Sequence, residues 1–290
     1  MSVHDRQQEK DSSESSSRNA LPKPHANRKM TIHSFCDPHQ KFPLVCVSLY
    51  DYKSAVICDP FVDMILVGDS LGMLVYGDDD TLNVTLGQMI AHGKAVVKGA
   101  KTALVVVDMP FGTYETSPEK AFKNASRVLR ETGCDAVKLE CSEVTLDTVS
   151  YLTKRGIPVM GHMGLCPQRL KTVGEYHVVP HANEDGEEMI YLARALVDAG
   201  VFSIVVEAVR HRVADRIVDS ISVPVIGIGA SENCRGQILV LHDLLGMSAD
   251  VPCFVKTYSD VAAHMVKAVQ MYSEDVRSGQ FPSKQNVYGG

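Results

Sequence analysis

Residues 85–108 read TLGQMIAHGKAVVKGAKTALVVVD, and the change of period inside this stretch decides the fold. Thr85 to Gly99 is an amphipathic segment of helix length ending in glycine, the residue best suited to cap a helix C-terminus. Just beyond it, Ala103 to Val107 is an unbroken apolar, mostly β-branched run, which suits a strand buried on both faces. Asp108 ends the run. Helix, glycine, buried strand and a polar residue at the strand's end make one unit of a βα repeat.

The unit recurs in both directions. Further strand-like runs lie at Leu44 to Ser48, Met64 to Val67, Ala136 to Leu139, Pro158 to Gly161, Ser203 to Val206, Pro224 to Ile228 and Ile238 to Leu241. Pro118 to Gly133 and Glu187 to Gly200 repeat the amphipathic segment with its terminal glycine. Continuous apolar runs predict a parallel sheet covered on its outer face by helices, and eight of them predict closure into a (β/α)8 TIM barrel, a fold of about 250 residues. A doubly wound open sheet is the competing architecture. Its dinucleotide-binding form needs G-x-G-x-x-G after the first strand, and the glycines of Gly227-Ile228-Gly229-Ala230 lack that spacing.

Composition narrows the partners. A formal charge of −6 over 290 residues offers no broad basic surface for nucleic acid or anionic membrane. No apolar stretch approaches the roughly 20 residues of a membrane span. The eight cysteines form no C-x-x-C pair, which predicts free thiols in a reducing, cytoplasmic setting. Residues 1–30 are polar, with Ser12, Ser13, Glu14, Ser15, Ser16 and Ser17 in one run, and are expected to form a disordered tail ahead of a single barrel domain over 31–290. A mitochondrial presequence is the alternative for that tail, disfavoured by Asp5, Glu9, Asp11 and Glu14.

In a barrel the C-terminal ends of the strands converge on one mouth, where active sites lie. Here those ends carry polar residues. The second run leads into Asp69 and Ser70, and the third into Asp108. Two carboxylates on adjacent strands suit Mg²⁺, which takes one or two protein carboxylates and completes its octahedron with water and substrate oxygens. A lone Asp in such a place is commonly only a helix cap or turn former. The fourth run holds Lys138 and Glu140 at i, i+2, so both point to one side. Inside the barrel they would need partners, whereas outside they would be a surface ion pair.

The fifth run ends in His162, a residue that in such a place is more often a structural hydrogen-bonding group than a catalyst, and the sixth in Glu207, the candidate base. Metal, base and cation, without a nucleophile arrangement of Ser/His/Asp or Cys/His type, point to proton abstraction next to a carbonyl and carbon–carbon bonding. A Schiff base on Lys138 is a second mechanism these residues leave open.

Several longer segments occur together in order: Leu66-Val67-Gly68-Asp69-Ser70-Leu71-Gly72-Met73, Asp108-Met109-Pro110-Phe111, Val137-Lys138-Leu139-Glu140, Gly161-His162-Met163-Gly164-Leu165-Cys166-Pro167-Gln168, Pro224-Val225-Ile226-Gly227-Ile228-Gly229-Ala230 and Gly236-Gln237-Ile238-Leu239-Val240. In these the chain resembles the ketopantoate hydroxymethyltransferase family over roughly residues 31 to 275. The resemblance implies a barrel of the phosphoenolpyruvate/pyruvate superfamily in a large, decamer-like homo-oligomer. It also implies hydroxymethyl transfer from 5,10-methylenetetrahydrofolate to 3-methyl-2-oxobutanoate, a small 2-oxo acid, giving 2-dehydropantoate on the way to pantothenate. Carried over, it makes Asp69 and Asp108 metal ligands with Glu140 nearby, Ser70, Lys138 and His162 substrate contacts, and Glu207 the general base.

Departures from the family lie in loops: Asp78, Asp80 and Asn83 after the second strand; Glu175, His177 and Val179 after the fifth; Ser231 and Arg235 after the seventh. Loops over a barrel mouth set substrate choice, so two alternatives stand beside the family reaction. One is a divergent magnesium-dependent aldolase or lyase acting on another 2-oxo acid or an aldehyde. The other is a non-catalytic paralogue.

Overall fold

The computed structural model describes residues 28–169, 171 and 186–288. Residues 1–27, 170, 172–185 and 289–290, among them Glu175, His177 and Val179, lie outside the described residues. Eight parallel strands close into a barrel in sequence order: β1 (Leu44–Ser48), β2 (Met64–Val67), β3 (Leu104–Asp108), β4 (Ala136–Glu140), β5 (Val159–Gly164), β6 (Ser203–Glu207), β7 (Val225–Ile228) and β8 (Gly236–Val240), the last pairing with β1. Around them run α1 (Ile32–Phe35), α2 (Tyr52–Cys58), α3 (Leu86–Gly99), α4 (Pro118–Thr132), α5 (Leu146–Thr153), α6 (Glu187–Asp198), α7 (His211–Ser220), α8 (Leu241–Leu244) and α9 (Val261–Ser278).

Strand alternation sorts the apolar residues into two cores. Leu44, Cys46, Met64, Leu66, Leu104, Val106, Ala136, Met160, Val205, Ile226 and Ile238 fill the lower barrel interior. Met30 and Phe35 plug its floor, Met30 N–H donating to Thr102 O at 2.7 Å. Residues one step along each strand, such as Val47, Ile65, Val67, Val105, Val107, Val137 and Leu139, face outward and pack under the helices.

Local chemistry sets the element ends. Thr85 and Gln88 form a capping box at the start of α3, and Ser117 caps α4 ahead of Pro118. Gly133 closes α4 at φ 76°, as the helix-glycine pattern predicts. Gly99 does not close α3 that way: it is the last helical residue, and Ala100 is the cap. Its glycine is needed because α2 passes so near that a Cβ would stand 2.7 Å from both Tyr52 O and Ala55 Cβ.

Two features depart from strict strand–helix alternation. Residues 229–235 carry the chain from β7 to β8 without a helix. The 18-residue α9 buries none of its side chains, leaving Met265, Val266, Val269, Met271 and Tyr272 more than half exposed. Outward-facing Val45 on β1 is likewise 50% exposed. No helix among the described residues is long and apolar enough to cross a membrane.

The seam between β8 and β1 makes a stability test. A Cβ on Gly236 would lie 2.5 Å from Leu44 O and 2.7 Å from Leu44 Cβ. Backbone cannot yield as a flexible side chain does, so overpacking outweighs the strand propensity gained. Gly236→Ala is expected to lose about 1–3 kcal/mol, read as a lower urea midpoint at unchanged slope. An unchanged midpoint would mean that the seam is not tightly packed.

Candidate active site

Alternation that buries Leu104 and Val106 also turns Asp108 inward, and likewise Lys138 and Glu140 above Ala136, His162 above Met160, and Glu207 above Val205. Asp69 and Ser70 follow directly on β2. Gly68 lets the chain pass: a Cβ there would meet Ser48 Oγ at 2.8 Å and Ser70 Oγ at 3.0 Å. All seven residues expected from the sequence line one cavity of about 110 Å³ at the C-terminal ends of the strands. It is small beside the roughly 300–1,000 Å³ of drug-sized sites, and fits a ligand of few heavy atoms. A larger groove, bordered by Tyr52, Lys94, Lys98 and Thr132, lies outside the barrel and gathers no comparable chemistry.

Lys138 and Glu140 are 6% and 5% exposed, which rules out a surface ion pair. Nor do they pair with each other: the Lys138 ammonium reaches across to Asp108 Oδ1 at 2.9 Å, and Nζ lies 3.4 Å from His162 Nδ1. Asp108 Oδ2 accepts from the Asp69 backbone N–H at 3.1 Å. His162 Nε2 stands 3.2 Å from Glu207 Oε2, within ion-pair range but misaligned for a hydrogen bond. Glu207, with its side chain 19% exposed, is the most open of these charged groups. Ser70 Oγ shares a 2.8 Å hydrogen bond with Tyr50 OH.

Burial, reinforced by the Asp108 charge, pushes the Asp69 carboxyl up to about 7, and burial with the Asp69 charge pushes Glu140 up to about 8. Burial alone would lower the Lys138 ammonium, but Asp108 and Asp69 outweigh it and the net shift is upward. Burial and then Lys138 lower His162, so its imidazole is neutral near pH 7. Lys138 therefore donates to Nδ1, and the ring proton sits on Nε2, facing Glu207.

The residues that tie this site together were not assigned from sequence. Gln168, after β5, donates from Nε2 to Asp69 Oδ2 at 2.7 Å and to Met109 O at 3.0 Å, and its backbone N–H donates to Glu140 Oε1 at 3.0 Å. Tyr114 OH donates to Gln168 Oε1 at 2.6 Å. Gln168 ends one of the segments quoted above, which was the available signal; Tyr114 lies in a turn with no period to mark it. Ala208 follows Glu207 at φ 51°, a left-handed conformation that a side chain disfavours.

The loop departures divide. Asp80 is 8% exposed, accepts from Leu82 N–H and pairs with Lys171 at 3.2 Å, so it builds the loop over β2. Ser231 donates to Asp215 on α7. Arg235 is not at the mouth at all. It directly precedes β8 and so lies at the opposite face, donating to Gln40 O at 2.5 Å.

The sequence model of the ketopantoate hydroxymethyltransferase family matches residues 29–284. The chain belongs to that family. It is 50% identical over 261 residues to 3-methyl-2-oxobutanoate hydroxymethyltransferase of Bartonella bacilliformis, covering 90% of this chain and 96% of the relative. With the enzyme of the same name from Bartonella quintana it shares 49% over 246 residues, covering 85% and 90%. Among solved structures, 2,3-dimethylmalate lyase, a PEP mutase/isocitrate lyase superfamily member, aligns with a TM-score of 0.53 at 15% identity, covering 89% of this chain and 90% of that one. That likeness shows the barrel fold alone.

The Lys138–Asp108 pair predicts a stability effect separable from catalysis. Lys138→Met leaves Asp108 buried without its cation and is expected to cost about 3–5 kcal/mol in unfolding free energy. Adding Asp108→Asn should recover much of that loss, because the orphaned charge goes too. A double variant no more stable than the single one would sink this account of the pair.

Proposed function

We propose that the chain transfers a hydroxymethyl group from 5,10-methylenetetrahydrofolate to 3-methyl-2-oxobutanoate, giving 2-dehydropantoate for pantothenate synthesis. The observation that carries it is the convergence of Asp69, Ser70, Asp108, Lys138, Glu140, His162 and Glu207 on one small cavity, in a chain half identical to enzymes of that name. Residues 31–290 serve as one catalytic domain with α9 appended.

A divalent cation fits the donor set. Asp69, Asp108 and Glu140 bring three carboxyl groups against one buried ammonium, and Glu140 Oε2 is buried with no hydrogen-bond partner. Among the described residues no three His, Cys, Asp or Glu side chains form a ready-made cage, in keeping with Mg²⁺, which leaves most positions to water and substrate. Asp69 and Asp108 would hold the ion, with Glu140 directly or through water. Bound there, it supplies Lewis-acid polarisation of the 2-oxo acid.

The protein's own groups then divide the work. Ser70 and His162 orient the 2-oxo acid in the cavity. Glu207 takes the proton from C3, the carbon beside the ketone. His162, with Nε2 3.2 Å from Oε2, packs against the same carboxylate. Lys138, held protonated, balances the negative charge that develops on oxygen, and in that state it is a poor Schiff-base nucleophile. In net terms C3 loses its proton and gains CH2OH, whose carbon comes from the folate and whose oxygen comes from water, while tetrahydrofolate leaves.

Two further readings accompany this one. The exposed apolar side of α9 and the half-exposed Val45 on β1 support a homo-oligomer in which both are covered. The eight free thiols support a reducing compartment such as the cytoplasm.

The test is deuterium exchange at C3 of 3-methyl-2-oxobutanoate by NMR, with Mg²⁺, with and without methylenetetrahydrofolate. Glu207→Ala and Asp69→Ala are each expected to slow exchange by at least about 100-fold, the scale of a positioned general base. Dehydropantoate should appear only when the folate is present. Exchange without product would move the donor elsewhere, and no exchange would exclude this acid as substrate.

A further inference from the structure

We infer that Gln168, held by Tyr114, is the positioning residue that sets the carboxylates of Asp69 and Glu140 for a divalent cation. The inference rests on the metal reading above. It comes from the number of separate strand ends that one residue joins: its side chain takes Asp69 beyond β2 and Met109 beyond β3, and its backbone N–H takes Glu140 on β4, all from the segment after β5.

Each hydrogen-bonding position of Gln168 has a use. Its amide has two N–H donors, and they go to Asp69 Oδ2 and Met109 O. Its oxygen accepts from Tyr114 OH, which fixes which end of the amide is which: rotated by 180°, the oxygen would face two acceptors and the NH2 would face the hydroxyl. The residue's backbone N–H takes Glu140 Oε1. One oxygen of each carboxylate is thereby engaged, and Glu140 Oε2 is left buried and unpartnered. Gln168 and Tyr114 are themselves 5% and 2% exposed, so the clamp is shielded from competing water.

An amide is the right group for this task. It orients the Asp69 carboxylate by donation yet carries no charge, so the negative charge of the site remains for a cation. A Lys or Arg in its place would neutralise that charge, and a Glu would add repulsion. Tyr114 touches neither carboxylate in this network and acts through Gln168 alone.

The experiment is titration of the purified full-length chain with Mn²⁺, followed by the EPR signal of free ion. Wild type should bind in the mouth, with binding lost in Asp69→Ala. Gln168→Leu should raise the Mn²⁺ Kd by about 10–100-fold, as is usual when a group orienting a metal ligand is removed. Tyr114→Phe should raise it roughly three- to tenfold, the worth of one buried hydrogen bond. The double variant should bind no more weakly than Gln168→Leu alone, because the hydroxyl works only through the amide. A merely structural role would lower Tm while leaving the Mn²⁺ Kd where it is, and that result overturns the clamp. If Gln168→Leu does not fold, Tyr114→Phe makes the same test by itself. A wild-type chain that takes no Mn²⁺, or takes it equally well in Asp69→Ala, overturns the metal reading together with the clamp. Loss in Asp69→Ala with unchanged affinity in Gln168→Leu and Tyr114→Phe overturns the clamp alone.

Discussion

Closure of the sheet between β8 and β1 means that every second residue of every strand shares one narrow interior. Its lower part is filled by Leu44, Met64, Leu104, Met160 and their neighbours above the Met30 and Phe35 plug. One step further along the same strands, the same side of the pleat must hold Asp108, Lys138, Glu140, His162 and Glu207. The charged centre of the site is thus not added to the barrel by its loops, although Asp69, Ser70 and Gln168 join it from beyond the strand ends. It is the top layer of the barrel's own core, and the packing below it fixes where the charged groups stand.

That origin explains the electrostatics. Groups forced together in a closed interior cannot separate to relieve repulsion, so burial and mutual charge raise the carboxyls of Asp69 and Glu140 while keeping Lys138 charged and His162 neutral. A protein selected for stability alone would gain by replacing such a layer with apolar residues. In the proposed reading, keeping it reserves carboxylate oxygen for a cation that in turn takes the 2-oxo acid, the trade expected where a local rule is broken for function. Ala208, left-handed immediately after the candidate base, is a smaller case of the same trade.

The barrel was legible because each of its strands is a contiguous apolar run, and period two then carried Lys138 and Glu140 to the inside. Boundaries moved where glycine disguised a strand, as at Gly236, which belongs to β8 because only a residue without Cβ fits beside Leu44. The same blindness made Gly99 look like a cap when it serves helix contact. At the site, residues on strand ends could be listed in advance, but their pairing could not. Lys138 meets Asp108 through β3–β4 register, and not Glu140, its neighbour in sequence. Gln168 and Tyr114 act from loops, where spacing carries no directional information.

Helix α9 adds a matter of timing. Synthesis runs from the N-terminus, so β8 at Gly236–Val240 emerges before Val261–Ser278, and the barrel has all its strands in hand while α9 is still being made. Since α9 buries nothing on its own barrel, it adds little to the folding of the protomer that carries it. A newly released chain therefore holds a finished core and an apolar stripe of Met265, Val269 and Tyr272 facing water. Under the proposed homo-oligomer the hazard for that interval is adhesion to other chains and not incomplete folding, and the interval shortens as protomer concentration rises.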